Sequence, residues 1–413
     1  MQCPSASPPL VGVRVVEVSG DPAGELTGLH LAELGADVVK VEPPTGAESR
    51  HIGPFAGGEP DPEGSLNYWY YNAAKRSVTL DLGDREDRAR FERLLDEVDV
   101  LIISLHPVEL RRFDLDLHAL VGAKRHLVVV SITPFGLTGP WADYKSCDLV
   151  GLATSGLLWT SGYDDHSIPP IRPGGNQAYH TAASFAQIGA LLALIQRRST
   201  GEGDLIDVSM HDACAVTGEL ANPYYFYSRA VVQRQTCRHA QPSPTQPAHF
   251  ACADGYVYFA LVLADSRAWR SLVEWLDSKG LAADLVEPEY DDLAYRQAQF
   301  PHIQEVLEAF FLLQPAAVAY HEGQARGLPI GVVNAPEDVF EDEHLAQRGF
   351  FESVEHPGWG EVRRPGMPFR FSGYARRPLT RSPRLGEHTE EVLAGLGTGR
   401  KGAGSDGEPA GHR

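Results

Sequence analysis

The chain has 413 residues, of which 43% are hydrophobic and 22% are charged, a composition typical of a soluble globular protein. Because a single hydrophobic core rarely extends beyond about 250–300 residues, we expect two domains. The formal net charge of −19 disfavours nucleic acids and anionic membrane surfaces as partners.

The cysteines and histidines form no recognisable ligand pattern. The five cysteines are odd in number and lack CxxC spacing, which indicates neither a disulfide framework nor a zinc site. The 16 histidines include no HExxH pair. The sequence also lacks an apolar run of about 18 residues and a start resembling a signal peptide. We therefore expect a cytoplasmic protein that binds no metal and does not enter a membrane.

Apolar strands alternate with helices in the first third of the chain. This alternation is typical of a parallel sheet covered by helices on both faces, and it predicts a Rossmann-like α/β domain. Strands are predicted at residues 11–18, 36–41, 77–80, 98–104 and 126–133, with helices at 25–34, 84–96 and 108–120.

The turns that follow these strands are the expected ligand positions. The first turn is not GxGxxG and no GxxxxGK[ST] occurs, which disfavours a dinucleotide-dependent dehydrogenase and a P-loop enzyme. Ligands of open parallel sheets bind beyond the carboxyl ends of the strands. Those ends are predicted at residues 19–24, 104–107 and 133–139.

A long apolar helix is predicted to begin near Gln177 and to be buried. It follows Gly174 and Gly175, and it carries almost no charge until Arg197. Unpaired N–H groups at such a helix start suit a carboxylate, a phosphate or a developing oxyanion. Tyr179 and His180 would lie in its first turn. A further strand at 203–210 and a helix from Asp212 follow.

The composition changes after these elements. A proline-rich connector is predicted at residues 237–249. Shorter elements at 255–262, 266–279, 302–311 and 329–334 indicate a smaller α+β domain. We therefore predict the following division: a large domain at 1–225 completed by 336–396, a small domain with its connectors at 226–335, and a disordered tail at 397–413.

Several separate segments resemble the motifs of family III CoA-transferases. GADVVKVEPPTGAESR is similar to the family's GADVIKVEPPxGDxxR, and NAAKRSVTLDLGDRED to its NxNKRSxxLDLxxxxG. STGEGDLIDVSMHDA is similar to TGxGQxVDVSLxDA. These motifs and further matching segments appear in the family's order across about residues 10–396. The motif segments are Gly35–Arg50, Asn72–Asp87, Ser199–Ala213, Arg326–Phe351, Pro365–Ser372 and Pro383–Leu393.

The resemblance implies an acyl-CoA and an organic acid as substrates and two interlocked subunits. Members of the family use an aspartate whose carboxylate attacks the acyl-CoA to give a mixed anhydride, and the returning CoA thiolate then forms an enzyme thioester. By matching positions, Arg112 and Lys145 are the implied phosphate partners. The other implied CoA contacts are Pro22, Ala23, Leu80, Asp81, Leu82, Gly83, Ser104, Leu105 and His106.

The sequence departs from the family pattern where the chemistry should be. Tyr179 stands at the aspartate position, and a phenol with an ordinary pKa near 10 forms little nucleophile at neutral pH. Asp148 is the leading candidate for a displaced carboxylate, followed by Glu25 and Asp21. A racemase-like acid–base pair would have to be built from Cys147, Tyr179, Asp148 and His180.

These departures favour a degenerate subunit of a heteromer whose sister chain carries the aspartate. Two-subunit family members that move CoA from succinyl-CoA to aryl-substituted succinates such as benzylsuccinate are similar to this arrangement. Two alternatives remain open. One is a self-sufficient homodimer that acts as a CoA-transferase or as an acyl-CoA racemase or isomerase; the other is a CoA-binding protein without catalysis.

Overall fold

The computed structural model describes residues 7–218, 221–374 and 376–396. Cys3 and the tail predicted at 397–413 lie outside the described residues. The chain divides into two compact units. The large unit comprises the described parts of Met1–Leu157, Pro173–Gly218 and Gly349–Arg413, and the small unit those of Leu158–Arg172 and Glu219–Arg348.

The secondary-structure elements of the described residues are as follows. The strands are β1 (Arg14–Ser19), β2 (Asp37–Glu42), β3 (Arg76–Thr79), β4 (Val100–Ser104), β5 (Val128–Thr133), β6 (Leu205–Ser209), β7 (Gln233–Gln235), β8 (Arg238–Gln241), β9 (His249–Ala251), β10 (Tyr256–Phe259), β11 (Ile330–Val332), β12 (Phe351–His356) and β13 (Gly360–Pro365). The helices are α1 (Pro22–Glu33), α2 (Leu66–Asn72), α3 (Arg85–Leu95), α4 (Pro107–Arg112), α5 (Leu117–Ala123), α6 (Asp148–Thr154), α7 (Gln177–Thr200), α8 (Met210–Val216), α9 (Ala221–Pro223), α10 (Ser266–Ser278), α11 (Leu293–Ala298), α12 (Phe300–Leu312), α13 (Ala316–Ala325), α14 (Pro336–Phe340), α15 (Glu343–Gln347) and α16 (Thr389–Ala394).

A six-stranded parallel sheet forms the centre of the large unit. Its order is β3-β2-β1-β4-β5-β6, and every neighbouring pair is parallel. Each residue of β4 and β5 is buried, as continuous apolar strands covered on both faces should be. The predicted Rossmann-like α/β fold is confirmed. The order reverses between β1 and β4, where ligands of such sheets bind.

The helix predicted at 108–120 is instead two helices, α4 and α5. Asp114 has φ of +51°, which an α-helix cannot contain. Asp116 then begins α5 by accepting the backbone N–H of Ala119 at 3.0 Å, an N-cap. The sequence prediction was wrong here because the apolar spacing continues across this turn.

The long helix α7 has one buried face and one exposed face, so the prediction of a buried helix was wrong on one side. Small residues pack inward against α1 and β5; those buried are Ala178, Ala182, Ala183, Ala186, Ala190 and Ala193. The large apolar side chains Phe185, Ile188, Leu192 and Ile195 are 39–63% exposed. At about 100° per residue, they project from the opposite face.

Helix α7 is also the one helix in the described part of the chain with the length and apolar composition of a membrane span. Its buried alanine face packs on the parallel sheet. Core helices of globular proteins share this composition because both environments exclude water.

The small unit has its own core beneath a three-stranded antiparallel sheet of order β11-β10-β9. Trp275, Phe310 and Phe311 are 0–1% exposed and pack together in this core. Residues 158–172 join this unit, whereas we predicted them in the large domain. They are held through Trp159, whose indole N–H donates to Val232 O at 3.1 Å.

The large unit is completed from Gly349, not from 336 as predicted. The returning chain forms the hairpin β12–β13 and then α16, which packs beside β3. Part of the predicted connector at 237–249 is also a strand, β8, paired with β7. The sequence did not indicate this hairpin because both strands are short and polar.

Candidate active site

A cavity of about 580 Å³ opens at the carboxyl ends of the central strands in the large unit. It therefore lies where the strand order predicts a ligand. Four residues of β1, β4 and β5 or their following turns form its floor: Gly20, Ser104, Ile132 and Thr133. Its remaining lining residues are Asp21, Ala23, Glu48, His106, Val108, Glu109, Pro134, Asp143, Lys145, Ser146, Tyr179 and Met210.

The cavity brings together six of the residues named from the sequence: Asp21, Ala23, Ser104, His106, Lys145 and Tyr179. The other candidates do not line it. They are Pro22, Glu25, Leu80, Asp81, Leu82, Gly83, Leu105, Arg112, Cys147, Asp148 and His180.

Tyr179 presents a phenol to this cavity from the first turn of α7. Burial raises its pKa, and the neighbouring Asp21, Cys147, Asp148 and Glu48 raise it further, since negative neighbours disfavour a second negative charge. The phenol is therefore neutral throughout the physiological range. It can donate a hydrogen bond but cannot act as an anionic nucleophile.

Asp148 is buried beneath the start of α7 and is only 4% exposed. Its Oδ1 atom accepts the backbone N–H of Ala178 at 2.8 Å, which satisfies one of the free donors of the helix start. The carboxylate that sequence reasoning favoured as a nucleophile is thus a capping group in this structure. It also leaves the helix start less able to receive an anion than we expected.

Asp21 is a second carboxylate of the cavity lining, and it lies close enough to Tyr179 to affect its pKa. Its Oδ1 atom accepts the N–H groups of Ala23 at 3.0 Å and Gly24 at 3.1 Å, which makes it the N-cap of α1. Burial raises the pKa of this carboxyl to about 7, although hydrogen bonds from Gly24 and Ser104 oppose the shift. Asp21 therefore titrates near neutral pH.

Glu25 belongs to a buried charge network behind the cavity, not to the cavity itself. Its Oε1 atom accepts Ser49 Oγ at 2.6 Å and pairs with Lys40 Nζ at 2.9 Å. Lys40 and Lys75 also pair with Glu17 at 2.8 and 2.7 Å. Two carboxylates and two ammonium groups therefore neutralise one another in a buried region, where an unpaired charge would be costly. Because Glu25 is held in this network, it cannot reach a substrate.

Burial shifts the pKa values within this network. It lowers the pKa of Lys75 to about 8, with Glu17 opposing the shift. Burial alone would raise the pKa of Glu17, but Lys40 and Lys75 hold it below the ordinary value. The paired charges therefore favour the ionised acid despite its burial.

Of the residues of the racemase-like hypothesis, Cys147 and Asp148 lie near Tyr179, whereas the ring of His180 is engaged by Tyr71. Cys147 is exposed at the N-cap of α6 and lies close enough to Tyr179 to affect its pKa. His180 points elsewhere: Tyr71 donates its O–H to His180 Nε2 at 2.9 Å and accepts from Asn176 Nδ2 at 3.1 Å. Burial lowers the pKa of His180, which agrees with a neutral ring acting as acceptor.

The residues expected to contact CoA occupy varied positions. Leu80 is 1% exposed and part of the core, while Asp81 and Gly83 form an exposed turn after β3. His106 caps α4 and bonds to Tyr144 O at 3.2 Å, so both its ring nitrogens are engaged. Arg112 is exposed and packs over the Phe113 ring.

Sequence reasoning missed other lining residues. One of them is Asp143, with which Arg111, not Arg112, pairs at 2.7 Å from outside the lining. Glu48 lies outside the predicted strand ends, and Met210 ends the strand predicted at 203–210 but was not singled out. Thr133 did lie at a predicted strand end but was not singled out. Among the described residues, no group of three or more His, Cys, Asp or Glu side chains is placed to hold a metal ion.

The comparisons with known proteins agree with this fold. The model of CoA-transferase family III matches residues 10–389, and the chain belongs to this family. It is 32% identical over 390 residues to the succinyl-CoA:(R)-benzylsuccinate CoA-transferase subunit BbsE of Thauera aromatica, with 93% of each chain covered.

Two further similarities extend the comparison. The chain is 28% identical to the alpha subunit of a succinyl-CoA–L-malate CoA-transferase of Chloroflexus aurantiacus, over 94% of this chain and 89% of that one. A crystal structure of a CAIB/BAIF family protein from Brucella suis superposes with a TM-score of 0.82 at 27% identity, covering 95% of this chain and all of the other. The expectation of family III membership is confirmed.

Proposed function

We propose that this chain is the non-nucleophilic subunit of a heteromeric family III CoA-transferase. A sister chain with an aspartate at the position of Tyr179 would perform the transfer. The observation that carries this proposal is the Tyr179 phenol, held neutral in the cavity by burial and by Asp21, Cys147, Asp148 and Glu48.

The chemistry of the two groups explains why a sister chain is needed. A carboxylate displaces CoA from its thioester to give an anhydride, which the departing thiolate can attack again. A neutral phenol is a weak nucleophile, and the aryl ester that it would form does not replace the anhydride. Asp148 and Glu25 do not supply the missing group because both are buried in structural interactions.

We infer the substrates from the relatives and the cavity together. The name of the Thauera aromatica relative gives succinyl-CoA and (R)-benzylsuccinate, so we propose succinyl-CoA and an aryl-substituted succinate. Lys145 is the one lysine or arginine among the described residues that line the cavity, which suits a CoA phosphate. We place the enzyme in the cytoplasm, where CoA thioesters are made and used.

The exposed face of α7 supports an assembly with a second chain of the same family. Four large apolar side chains form this face, Phe185, Ile188, Leu192 and Ile195. Contiguous exposed apolar surface of this kind marks an interface. Alpha and beta subunits are named among the Chloroflexus aurantiacus relatives, so we propose that the sister chain covers this face in an interlocked dimer.

Trapping of the covalent intermediate tests the proposal. The purified chain, alone and then co-expressed with a candidate sister chain, is incubated with succinyl-CoA, treated with hydroxylamine and analysed by mass spectrometry. We expect no carboxyl adduct on this chain in either setting and an adduct on the sister chain's aspartate. A hydroxamate on this chain alone, with turnover, would show instead that it is self-sufficient.

One observation favours a second candidate, a self-sufficient transferase that uses Asp21. This carboxylate lines the same cavity as the phenol, and its pKa of about 7 leaves it partly ionised at neutral pH. In that case the adduct would map to Asp21 and would disappear in Asp21→Asn. CoA binding without any adduct in either setting would identify a binding protein without catalysis.

A further inference from the structure

The floor of the cavity holds a hydroxyl group that the protein itself does not use. Thr133, the last residue of β5, lines the cavity and is 2% exposed. Its Oγ1 atom makes no hydrogen bond with any described residue. Buried hydroxyls nearly always have a partner, so this one is suited to a ligand. Ser104 beside it is already engaged, since its Oγ accepts the Gly20 N–H at 3.3 Å.

The second free donor is the phenol of Tyr179. Its ionised form is suppressed, so it offers an O–H to whatever enters the cavity. The groups that act on it most strongly are three carboxyls and a thiol, Asp21, Glu48, Asp148 and Cys147. The nearby start of α7 gives the Ala178 N–H to Asp148. A carboxylate brought to the phenol would therefore meet like charges at short range.

An uncharged carbonyl oxygen satisfies both observations. It accepts hydrogen bonds from neutral O–H donors and is not repelled by the carboxyls around them. The pantetheine arm of a CoA thioester carries three such carbonyl groups, namely those of its two amides and that of the thioester itself. The free acid that exchanges with the thioester does not, because it is ionised at neutral pH.

We propose that this cavity selects the uncharged pantetheine arm of a CoA thioester and excludes the free acid. Thr133 and Tyr179 donate hydrogen bonds to the carbonyl oxygens of the arm. The inference rests on the proposed function, in which a CoA thioester enters here. The free acid then binds only in the site of the sister chain. The aspartate-to-tyrosine difference then removes acid binding as well as the nucleophile.

Isothermal titration of the purified full chain with S-acetylpantetheine tests this directly, because this probe has the arm and thioester but no phosphates. We expect binding to the unaltered protein, weakened about 5- to 10-fold in Thr133→Val and in Tyr179→Phe, as the loss of one hydrogen bond implies. Ser131→Ala is the matched control. Ser131 lies two residues earlier on β5, is equally buried and has an unpartnered Oγ, but does not line the cavity.

Succinate is the second probe, and we expect that it neither binds measurably at millimolar concentration nor displaces S-acetylpantetheine. Displacement by succinate would overturn the inference. So would equal affinity in Thr133→Val and Tyr179→Phe, or an equal loss in Ser131→Ala. Thermal unfolding of each variant verifies that it is folded. Titration with CoA itself distinguishes failure of the proposed function from failure of this inference. Absence of CoA binding refutes the proposed function. Binding of CoA together with a failed S-acetylpantetheine test refutes only the selectivity for the pantetheine arm.

Discussion

Asp148 Oδ1 accepts the backbone N–H of Ala178 at 2.8 Å, so a buried carboxylate caps the helix that carries Tyr179. The two residues are 30 positions apart in sequence. Their contact joins α6 to the start of α7 and fixes the turn in which the phenol stands. The same hydrogen bond commits the strongest candidate for a displaced nucleophile to a structural task.

We expect Asp148→Ala to lower the free energy of unfolding by about 1–3 kcal/mol, because it leaves the Ala178 N–H buried without an acceptor. Asp148→Asn should cost less, since its amide oxygen can still accept. Urea unfolding of both variants measures the difference. If Asp148 were instead the nucleophile, Asp148→Asn would abolish turnover of the complete enzyme while hardly changing its stability.

Replacing Tyr179 with aspartate should restore the ability to form an acyl adduct in the isolated chain. The new carboxyl would stand among Asp21, Glu48 and Asp148, which raise the pKa of an acidic group. Because only the ionised form attacks, adduct formation should increase as the pH rises from about 6 to 8. Hydroxylamine trapping with mass spectrometry follows this, with Tyr179→Asn as the control that cannot form an anhydride. A pH-independent yield would contradict the electrostatic argument.

Asp21→Asn should become progressively more stable than the unaltered protein as the pH rises from about 4 to 7. The folded-state pKa of Asp21 is raised to about 7, so the folded state binds more protons than the unfolded state in this window, and stability falls with rising pH. Asparagine removes this penalty and still caps α1. We expect a gain of roughly 1–2 kcal/mol at pH 8 after solvent screening, measured by urea unfolding across pH.

The N-cap of α3 provides a control of opposite sign. Hydrogen bonds from the backbone of Asp87 and Glu86 lower the pKa of Asp84. Its stabilising effect is therefore present above its unfolded-state pKa and is lost as the pH falls. Asp84→Asn should lose stability relative to the unaltered protein as the pH rises towards about 4, and the difference should stay constant above that pH. The same trend in both variants would show that capping, not burial, governs Asp21.

Glu25→Gln should lower the free energy of unfolding by about 3–5 kcal/mol, since it leaves two buried lysines to share one carboxylate. Lys40 and Lys75 both pair with Glu17, and Glu25 supplies the second negative charge. Glu202→Gln, which breaks the exposed pair with Arg125, should cost less than about 1 kcal/mol. Chemical unfolding of the two variants side by side checks this, and similar losses would refute the network's role.

Leu192→Asp should weaken assembly with the sister chain by at least about 100-fold, because it places a charge on the exposed apolar face of α7. Arg198→Gln on the same helix should leave assembly unchanged. Light scattering coupled to size exclusion, at a series of protein concentrations, gives the dissociation constant. An unaffected Leu192→Asp assembly would mean that another surface joins the subunits.

Local patterns were sufficient for most of the large unit's architecture. Strands β1, β4 and β5 are largely apolar runs between turn residues, and parallel sheets of this kind allow few connections. Errors arose where a local signal was missing: Asp114 turns the chain between α4 and α5 with an ordinary-looking sequence. The short polar strands β7 and β8 gave no alternation to detect.

The site was predicted less completely because its members meet only in the folded chain. Strand ends indicated Ser104 and the stretch containing Thr133, and the family motif indicated Tyr179. Nothing in the sequence distinguished the tasks of its carboxylates: Asp148 caps α7, Asp21 lies near the phenol, and Glu25 is paired behind the wall. Each assignment depends on partners far away in the chain or on burial.

The sequence by itself determined the family, the parallel sheet and the presence of a phenol where a nucleophilic carboxylate belongs, since these follow from residue types and local periodicity. Only the tertiary structure decided that the phenol is surrounded by acids, that Thr133 keeps an unused hydroxyl and that α7 leaves an apolar face uncovered. The physical reason is that charge, hydrogen-bond partners and burial are set by distances in space, and folding brings together residues that the sequence keeps apart.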